Sequence, residues 1–287
     1  MKTKALVIGI GEVLWDVFAD HKSMGGAPVN FAYHVARLGV DSLAISAVGH
    51  DPLGDELCQI LEERGLDFEL QRVDEPTGTV EVSLNGEGVP QYLFSQPVAW
   101  DRLVMKDSYR DIARHAKAVS FGSLAQRDLI THDTIHTFLS LVPDSAYKLF
   151  DVNLRQDFYT KTIIESSLER CNLLKINDEE IVVVADMFGL DGSDVENCQR
   201  LMERFDLSLV ALTCGTEGSY LITADDVNFM ATPKVVVADT VGAGDSFSAA
   251  MLVGLLEGKA LQEIHHDAVT LSAFVCTQQG AMPAALN

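Results

Sequence analysis

The sequence lacks the cysteine patterns that mark disulfide-stabilised and zinc-binding proteins. Its five cysteines are an odd number, are widely scattered, and include no C-x-x-C pair. Neither a disulfide framework nor a zinc site is therefore indicated. Free thiols are the simplest interpretation, and they predict a reducing compartment, the cytoplasm.

Basic runs and long apolar runs are missing as well. The chain has 21 Lys and Arg residues against 42 Asp and Glu residues, a formal net charge of −21. That balance argues against nucleic acid or an anionic membrane surface as a partner. The apolar run at the N-terminus is interrupted by Glu12 and Asp16 and is too short to span a bilayer. A small anion can still bind where backbone N–H groups and a local cation meet it.

Short apolar runs that alternate with segments of helical period dominate what is present. Examples are "KALVIGIG", "AKAVSFG", "CNLLKIN" and "SLVALTCG". Such runs are typical of parallel strands that are covered on both faces. The sequence therefore predicts an α/β fold, a doubly wound and mostly parallel central sheet with helices on both faces. Because no repeat or Pro/Ser-rich linker divides the 287 residues, we expect one domain over 1–287.

The segment from about 70 to 101 departs from this pattern. In "TGTVEVSLNGEGVPQYLF" apolar and polar residues alternate around a central "NGEG". Alternation around such a turn is typical of an antiparallel hairpin with one solvated face. We expect a small β-sheet extension here.

The stretch "DTVGAGDSF" predicts an anion site. Gly242, Ala243 and Gly244 remove side-chain bulk where a helix begins, so unpaired N–H groups and the positive end of the helix dipole face open space. Asp245 would repel an anion there, unless it accepts a proton from a hydroxyl that attacks a bound phosphoryl group. The alternative is that Asp245 caps the helix.

The stretch "GGAPVN" also leads from glycines into a helix. Gly25 and Gly26 permit close backbone approach, and Asn30 offers a donor and an acceptor, which suits a polyhydroxylated ligand. A turn before an amphipathic helix explains the stretch equally well. Asp16 either accepts hydrogen bonds from sugar hydroxyls or is an exposed turn residue. "GIGEVL" lacks the third glycine of a dinucleotide site and has Leu14 in its place.

Taken together, these residues make the whole chain resemble the ribokinase-like (PfkB) sugar kinase family. Six stretches follow the family's order: "GGAPVN", "VGHDPLGDEL", "FDVNLR", "KINDEE", "LTCGTEG" and "DTVGAGDSF". The resemblance implies ATP-dependent phosphorylation of a primary sugar hydroxyl. It makes Asp245 the catalytic base and residues 242–244 the anion hole, with Asp16, the glycine pair and Asn30 on the sugar.

The resemblance also implies a nucleotide site. Asn177 and Glu180 would order Mg²⁺ through its waters, although a helix capping box explains the same spacing. Lys175 and Arg155 would be the cations beside the triphosphate, or ordinary surface residues. The bend that carries Thr213, Gly215 and Gly218 would approach the nucleotide.

A monovalent cation and a lid complete what the resemblance implies. Asp239 and the loop around Gly280 and Ala281 would enclose the cation, which suggests dependence on K⁺. Segments 11–24 and 70–101 would form a lid that excludes water. Lid edge strands could pair between subunits, which predicts a homodimer.

Within the family, phrases such as "GEVLWDVF", "VAWD" and "QQGAMP" are most similar to bacterial fructokinases. Trp100, Gln126 and Arg127 are then candidates for the pocket wall, although Trp100 could equally be core packing. The alternatives are a kinase for 2-keto-3-deoxygluconate, ribose or a nucleoside, and a sugar sensor without catalysis. A sensor would gain nothing from a carboxylate that faces phosphate.

Overall fold

The computed structural model describes residues 6–84 and 90–283. Its strands are β1 (Leu6–Ile10), β2 (Leu14–Val17), β3 (Lys22–Gly25), β4 (Asp41–Gly49), β5 (Asp67–Val73), β6 (Gly78–Leu84), β7 (Pro90–Phe94), β8 (Ala118–Gly122), β9 (Tyr147–Asp151), β10 (Leu173–Asn177), β11 (Leu209–Cys214), β12 (Gly218–Ile222) and β13 (Val227–Met230). Its helices are α1 (Ala27–Arg37), α2 (Pro52–Glu63), α3 (Asp107–His115), α4 (Leu129–Leu141), α5 (Lys161–Leu168), α6 (Asp178–Phe188), α7 (Asp194–Phe205), α8 (Ala243–Glu257) and α9 (Leu261–Cys276).

A nine-stranded sheet forms the body of the protein. Its order is β13-β12-β11-β10-β9-β8-β1-β4-β5. The pairings from β11 across to β5 are parallel, and only the β12 and β13 end is antiparallel. The predicted doubly wound, mostly parallel fold is confirmed.

Helices cover both faces of this sheet. Successive strand residues point to opposite faces, and both are apolar. Val7 packs in a cluster with α1, α8 and α9, whereas the next residue, Ile8, packs in the cluster that contains α3 to α7. Leu149 and Phe150 on β9 divide in the same way. The continuous apolar runs seen in the sequence are therefore strands buried on two faces.

A second, four-stranded sheet has the order β3-β2-β6-β7. β2 pairs with β6 in parallel, so that Asp16 lies opposite Val80, and β6 pairs with β7 in antiparallel register. These strands lie within the predicted segments 11–24 and 70–101, except that β3 ends one residue later, at Gly25. The start of the second segment does not join this sheet, because β5 (Asp67–Val73) pairs with β4 in the large sheet. The "NGEG" turn predicted between β6 and β7 falls outside the described residues.

The parallel strands bring chemically active residues to one edge. Glu12 follows β1, Asp151 ends β9, Asn177 ends β10 and Thr213 lies at the end of β11. Carboxyl ends of parallel strands are where open α/β sheets bind ligands. Among residues 6–84 and 90–283, no helix combines the length and the apolar character needed to cross a bilayer.

Candidate active site

Two cavities meet at this edge of the large sheet. The larger, about 970 Å³, lies between the ends of β10 and β11 and the start of α8. The smaller, about 580 Å³, lies under the four-stranded sheet. Four residues line both cavities: Lys175, Asn177, Thr240 and Gly244. A group that is transferred from a ligand in one cavity to a ligand in the other would pass this junction.

The larger cavity contains the predicted nucleotide bend. Thr213, Gly215 and Gly218 all line it. An apolar part of its wall is formed by Val235, Val237, Phe247 and Val269. The cavity therefore combines an apolar wall with polar groups, which is the usual design of a small-molecule site.

Glycine is required at the start of α8. Gly242 is the N-cap residue with φ of 80°, in the left-handed region. A Cβ at this position would lie 2.7 Å from the Cα of Ala281, and a Cβ on Gly244 would lie 3.1 Å from the Nζ of Lys175. The backbone and the ammonium group thus approach each other at the positive end of the helix, as the predicted anion site requires.

Asp245 lies in the first turn of α8 but does not cap it, because the N-cap position of α8 has no side-chain hydrogen bond. Its half-buried carboxylate lines the smaller cavity, and the Nδ2 of Asn30 donates to its Oδ2 at 2.7 Å. Burial raises the pKa of Asp245 to about 7; nearby Asp151 adds to the effect, whereas Asn30 and Lys175 oppose it. Such a carboxyl group can accept and release a proton near neutral pH.

Lys175 is a buried cation held by a carboxylate. Its Nζ lies 3.1 Å from the Oδ1 of Asp151, and both side chains are less than a tenth exposed. Burial lowers the pKa of Lys175, but Asp151 and Glu180 outweigh this effect, and the pKa is raised above its ordinary value. Lys175 is therefore charged, and it is not the solvated surface residue of the alternative. Asp151 was not singled out from the sequence, although it lies in "FDVNLR".

The predicted magnesium pair forms a capping box in the structure. Asn177 caps α6 by accepting from the amide of Glu180 at 2.8 Å. The two carboxylate oxygens of Glu180 accept from the amides of Asn177 and Leu154. Burial raises the pKa of Glu180, and Lys175 opposes the shift.

These residues fit a metal ion that is held mainly by phosphates and water. Within the described residues no three His, Cys, Asp or Glu side chains are arranged to hold a metal ion. Mg²⁺ keeps several waters and needs no protein cage when phosphates bind it. Asn177, which lines both cavities, and Glu180, which is hydrogen-bonded to it, would order those waters.

The smaller cavity holds the predicted sugar residues. Asp16, Gly25, Gly26 and Asn30 all line it. A Cβ on Gly25 would lie 2.7 Å from the Oδ2 of Asp16, so this glycine makes room for the carboxylate. Burial raises the pKa of Asp16 to about 6, and Arg155 opposes the shift.

Two further residues line this cavity, although the sequence did not predict them in the sugar site. Glu12, which interrupts the first apolar run, is buried here, and its Oε1 accepts from the amide of Ala27 at 3.2 Å. Arg155, predicted beside the triphosphate, lines the smaller cavity and not the larger one. Its position after β9 places it on the Asp16 side of the junction.

The predicted pocket wall is wrong. Trp100, Gln126 and Arg127 line neither cavity. Arg127 forms a buried ion pair with Asp101 at 2.8 Å and stacks on Trp100, which is 1% exposed. Gln126 donates to the carbonyl of Gly122. The alternative of core packing is correct for Trp100, which packs in the main apolar cluster with the guanidinium group of Arg127 over its ring.

Asp239 joins the loop before α8 to the C-terminal loop. Its Oδ1 accepts from the amide of Val241 and its Oδ2 accepts from the amide of Gly280, both at 3.0 Å. The carbonyl of Ala281 accepts from the Nε2 of buried His34 at 2.8 Å. The residues of the predicted cation loop therefore lie together.

Comparison with known proteins agrees with this geometry. The profile described as "pfkB family carbohydrate kinase" matches residues 5–286. An uncharacterized sugar kinase of Pyrococcus horikoshii is 32% identical over 275 residues, which cover 89% of this chain and 84% of the relative. Its crystal structure in complex with ATP superposes with a TM-score of 0.82, at 30% identity and with 96% and 94% of the two chains covered.

Two fructokinases are also similar. The fructokinase of Klebsiella pneumoniae is 28% identical over 299 residues, which cover 96% of this chain and 94% of that protein. The fructokinase of Xylella fastidiosa with bound ATP has a TM-score of 0.86 at 23% identity, with 98% and 95% of the chains covered. The second likeness shows a shared fold.

Proposed function

This chain is a member of the pfkB family of carbohydrate kinases, and on that premise we propose that it transfers the γ-phosphoryl group of ATP to a primary hydroxyl of a sugar, with fructose as the first acceptor to test. The observation that carries the proposal is the junction of the two cavities at Lys175, Asn177, Thr240 and Gly244. ATP would occupy the larger cavity and the sugar the smaller one.

In this proposal Asp245 accepts the proton of the attacking hydroxyl. The sugar oxygen forms a bond to the γ-phosphorus as the bond from that phosphorus to the bridging oxygen breaks, and ADP leaves with the electron pair. The amides at the start of α8 and the ammonium group of Lys175 stabilise the charge on the transferred group. Asp16 and Asn30 hold the sugar by its hydroxyls.

The lid would keep water from the reaction. One face of the four-stranded sheet, with Val80, Val82, Tyr92 and Phe94, lines the smaller cavity. An apolar cover above the sugar excludes water that would otherwise hydrolyse ATP. Mg²⁺, when bound with ATP, would neutralise phosphate charge, and Asn177 and Glu180 would order its waters. Asp239 and the Gly280 loop would hold K⁺.

Fructose is favoured by the phrases shared with bacterial fructokinases and by relatives that bear that name at 28% identity. Kinases for 2-keto-3-deoxygluconate, ribose or a nucleoside are the alternatives, since a few pocket residues decide among such acceptors. A sensor without catalysis is less consistent with Asp245, because a binding site gains nothing from a carboxylate at the phosphoryl junction.

The test is ADP release by the purified protein with ATP, Mg²⁺ and K⁺, using fructose, ribose, 2-keto-3-deoxygluconate and adenosine as acceptors. Turnover with fructose alone supports the full proposal. Turnover with another acceptor would keep the chemistry and reject fructose. Sugar binding without turnover would overturn the kinase mechanism. Replacing K⁺ by Na⁺ in the same assay tests the monovalent cation.

We further propose a homodimer through the lid and a cytoplasmic setting. β3 and β7 are the outer strands of the lid sheet, and the exposed side chains of Tyr92 and Leu93 lie on β7. Outer strands can pair with those of another subunit. Sedimentation of the protein against a Leu93→Lys variant measures this, with the variant expected as a monomer. The cysteines are free thiols in the structure, in keeping with a reducing compartment.

A further inference from the structure

A hydrogen bond across two helices lies at the centre of the site. Asn30 is in the first turn of α1 and Asp245 is in the first turn of α8, 215 residues later. The Nδ2 of Asn30 donates to the Oδ2 of Asp245 at 2.7 Å. Asn30 is only 3% exposed. No other hydrogen bond from a side chain to Asp245 is found in the part of the chain that the structure describes.

We propose that Asn30 is a positioning residue for the base: it holds the Oδ2 of Asp245 so that the Oδ1 receives the proton of the acceptor hydroxyl. This inference rests on the proposed function, because it assigns a second task to a residue that otherwise only binds sugar. A carboxylate that is held by one oxygen presents the other in a fixed direction, and direction is what a general base requires.

The orientation of the Asn30 amide follows from the charge that it faces. If the amide were reversed, its oxygen would lie against a carboxylate oxygen, and two acceptors would repel each other. With the nitrogen toward Asp245, the Oδ1 of Asn30 is buried and finds no hydrogen-bond partner among the described residues. This oxygen is then an acceptor left over for a hydroxyl of the sugar. One side chain would thus contact both the base and the substrate.

Because acidic groups surround Asp245, the hydrogen bond from Asn30 affects the pKa of this carboxyl group. Glu12, Asp151 and Lys175 also act on this carboxyl group, two of them as acids that favour its protonated form. Asn30 and Lys175 are the groups that favour the ionised form. Only the ionised form can accept a proton, so loss of the Asn30 amide should move the onset of activity to higher pH.

The experiment compares the parent with Asn30→Ala and Asn30→Asp in two ways. The first is the pH dependence of kcat/KM for the sugar, in which we expect the acid limb to move upward by about one pH unit in Asn30→Ala, and further in Asn30→Asp because a second carboxylate faces the first. Asp16→Asn is the control: it lies in the same cavity without a contact to Asp245, so we expect a higher KM with the acid limb near pH 7 unmoved.

The second measurement does not need turnover. Carbon NMR of protein labelled at the aspartate carboxyl groups follows the titration of Asp245, which is assigned as the signal missing in Asp245→Asn. The same upward movement is expected for both Asn30 variants. If the signal titrates at the parent pH in both variants, Asn30 does not position the base, whether or not a sugar is phosphorylated. If no acceptor is phosphorylated by the parent, the proposed function fails and the titration still decides the role of Asn30.

Discussion

Helices α1 and α8 both begin at the active site, and their first turns differ in what is left for a ligand. Each starts after a glycine with positive φ, Gly26 at 123° and Gly242 at 80°. In α1 the amide of Ala27 donates to the buried carboxylate of Glu12, and the next residue, Pro28, has no N–H group. The amide of Val29 donates to the carbonyl of Gly26. The first turn of α1 therefore has no amide left for an anion.

The first turn of α8 is arranged in the opposite way. The amides of Gly244 and Asp245 belong to the turn in which N–H groups lack partners within the helix, and a cation, Lys175, lies beside Gly244. Within residues 6–84 and 90–283, no side chain caps this helix. Glycine before a helix therefore does not by itself make an anion site. The amides that begin α1 are already bonded or absent, and in our proposal that end holds the sugar, whereas the amides that begin α8 remain available for phosphate.

Removing the proposed base, Asp245, should have the largest effect on activity. We expect Asp245→Asn to lower kcat by about a thousandfold or more, because general base catalysis is lost. The fold should survive, since the side chain keeps its shape and a half-buried carboxyl group is replaced by a neutral amide. Steady-state turnover and calorimetric sugar binding check both statements. Turnover at the parent rate would show that another group accepts the proton.

A single methyl group at Gly242 should disturb the start of α8, where the amides are free to bind an anion. In Gly242→Ala the new Cβ meets the backbone of Ala281, and the left-handed conformation is strained. We expect kcat/KM for ATP to fall about a hundredfold, as for the loss of an oxyanion donor. Gly258→Ala is the matched control: it ends the same helix at φ of 71°, with no atom of the described residues within 4 Å of the new Cβ.

For Gly258→Ala we expect a loss of about 1 kcal/mol in the free energy of unfolding and unchanged turnover. Denaturant unfolding and ATP kinetics on both variants make the comparison. Equal losses of activity in the two would mean that strain in the helix, and not the anion site, accounts for the effect.

The pH dependence of the parent tests the difference between the two carboxylates of the smaller cavity. Asp245, with a pKa of about 7, must be ionised to act as the base, so kcat/KM for the sugar should fall about tenfold per unit below pH 7. Asp16, with a pKa of about 6, must be ionised to accept from sugar hydroxyls, so the slope should steepen below pH 6. A limb near pH 4, the ordinary range of a carboxyl group, would reject both roles.

The fold was accessible from the sequence because its signals are local. Apolar runs bounded by turns gave the parallel strands, and the stretch after Asp239 gave the helix start with its small residues. Asn30 and Asp245 were predicted because each follows glycines at the start of a helix, and Asp16 was predicted because it follows the first apolar run. Only the folded structure shows that these three residues line one cavity.

Residues whose role depends on distant partners were missed. Trp100 and Arg127 were assigned to the pocket by their neighbours in sequence, but Arg127 is held by Asp101 and Ser95, contacts across 26 and 32 residues. The role of Asp151 depends on its hydrogen bond from Lys175, which lies on the adjacent strand. No local pattern distinguishes a pocket residue from one packed behind the pocket.

The smallest expected effect comes from the closed end of α1. Glu12→Ala removes the acceptor of the Ala27 amide, and we expect a loss of about 1 kcal/mol in the free energy of unfolding, the usual cost of losing a helix N-terminal partner. Glu12→Gln keeps an oxygen that can accept from Ala27, so less than half of that loss and a change in turnover of only about threefold or less are expected. Chemical denaturation and sugar kinetics on both variants decide the matter. If Glu12→Gln lowers turnover as severely as Asp245→Asn, the carboxylate of Glu12 takes part in the chemistry, and the contrast between a neutralised and an open helix end is wrong.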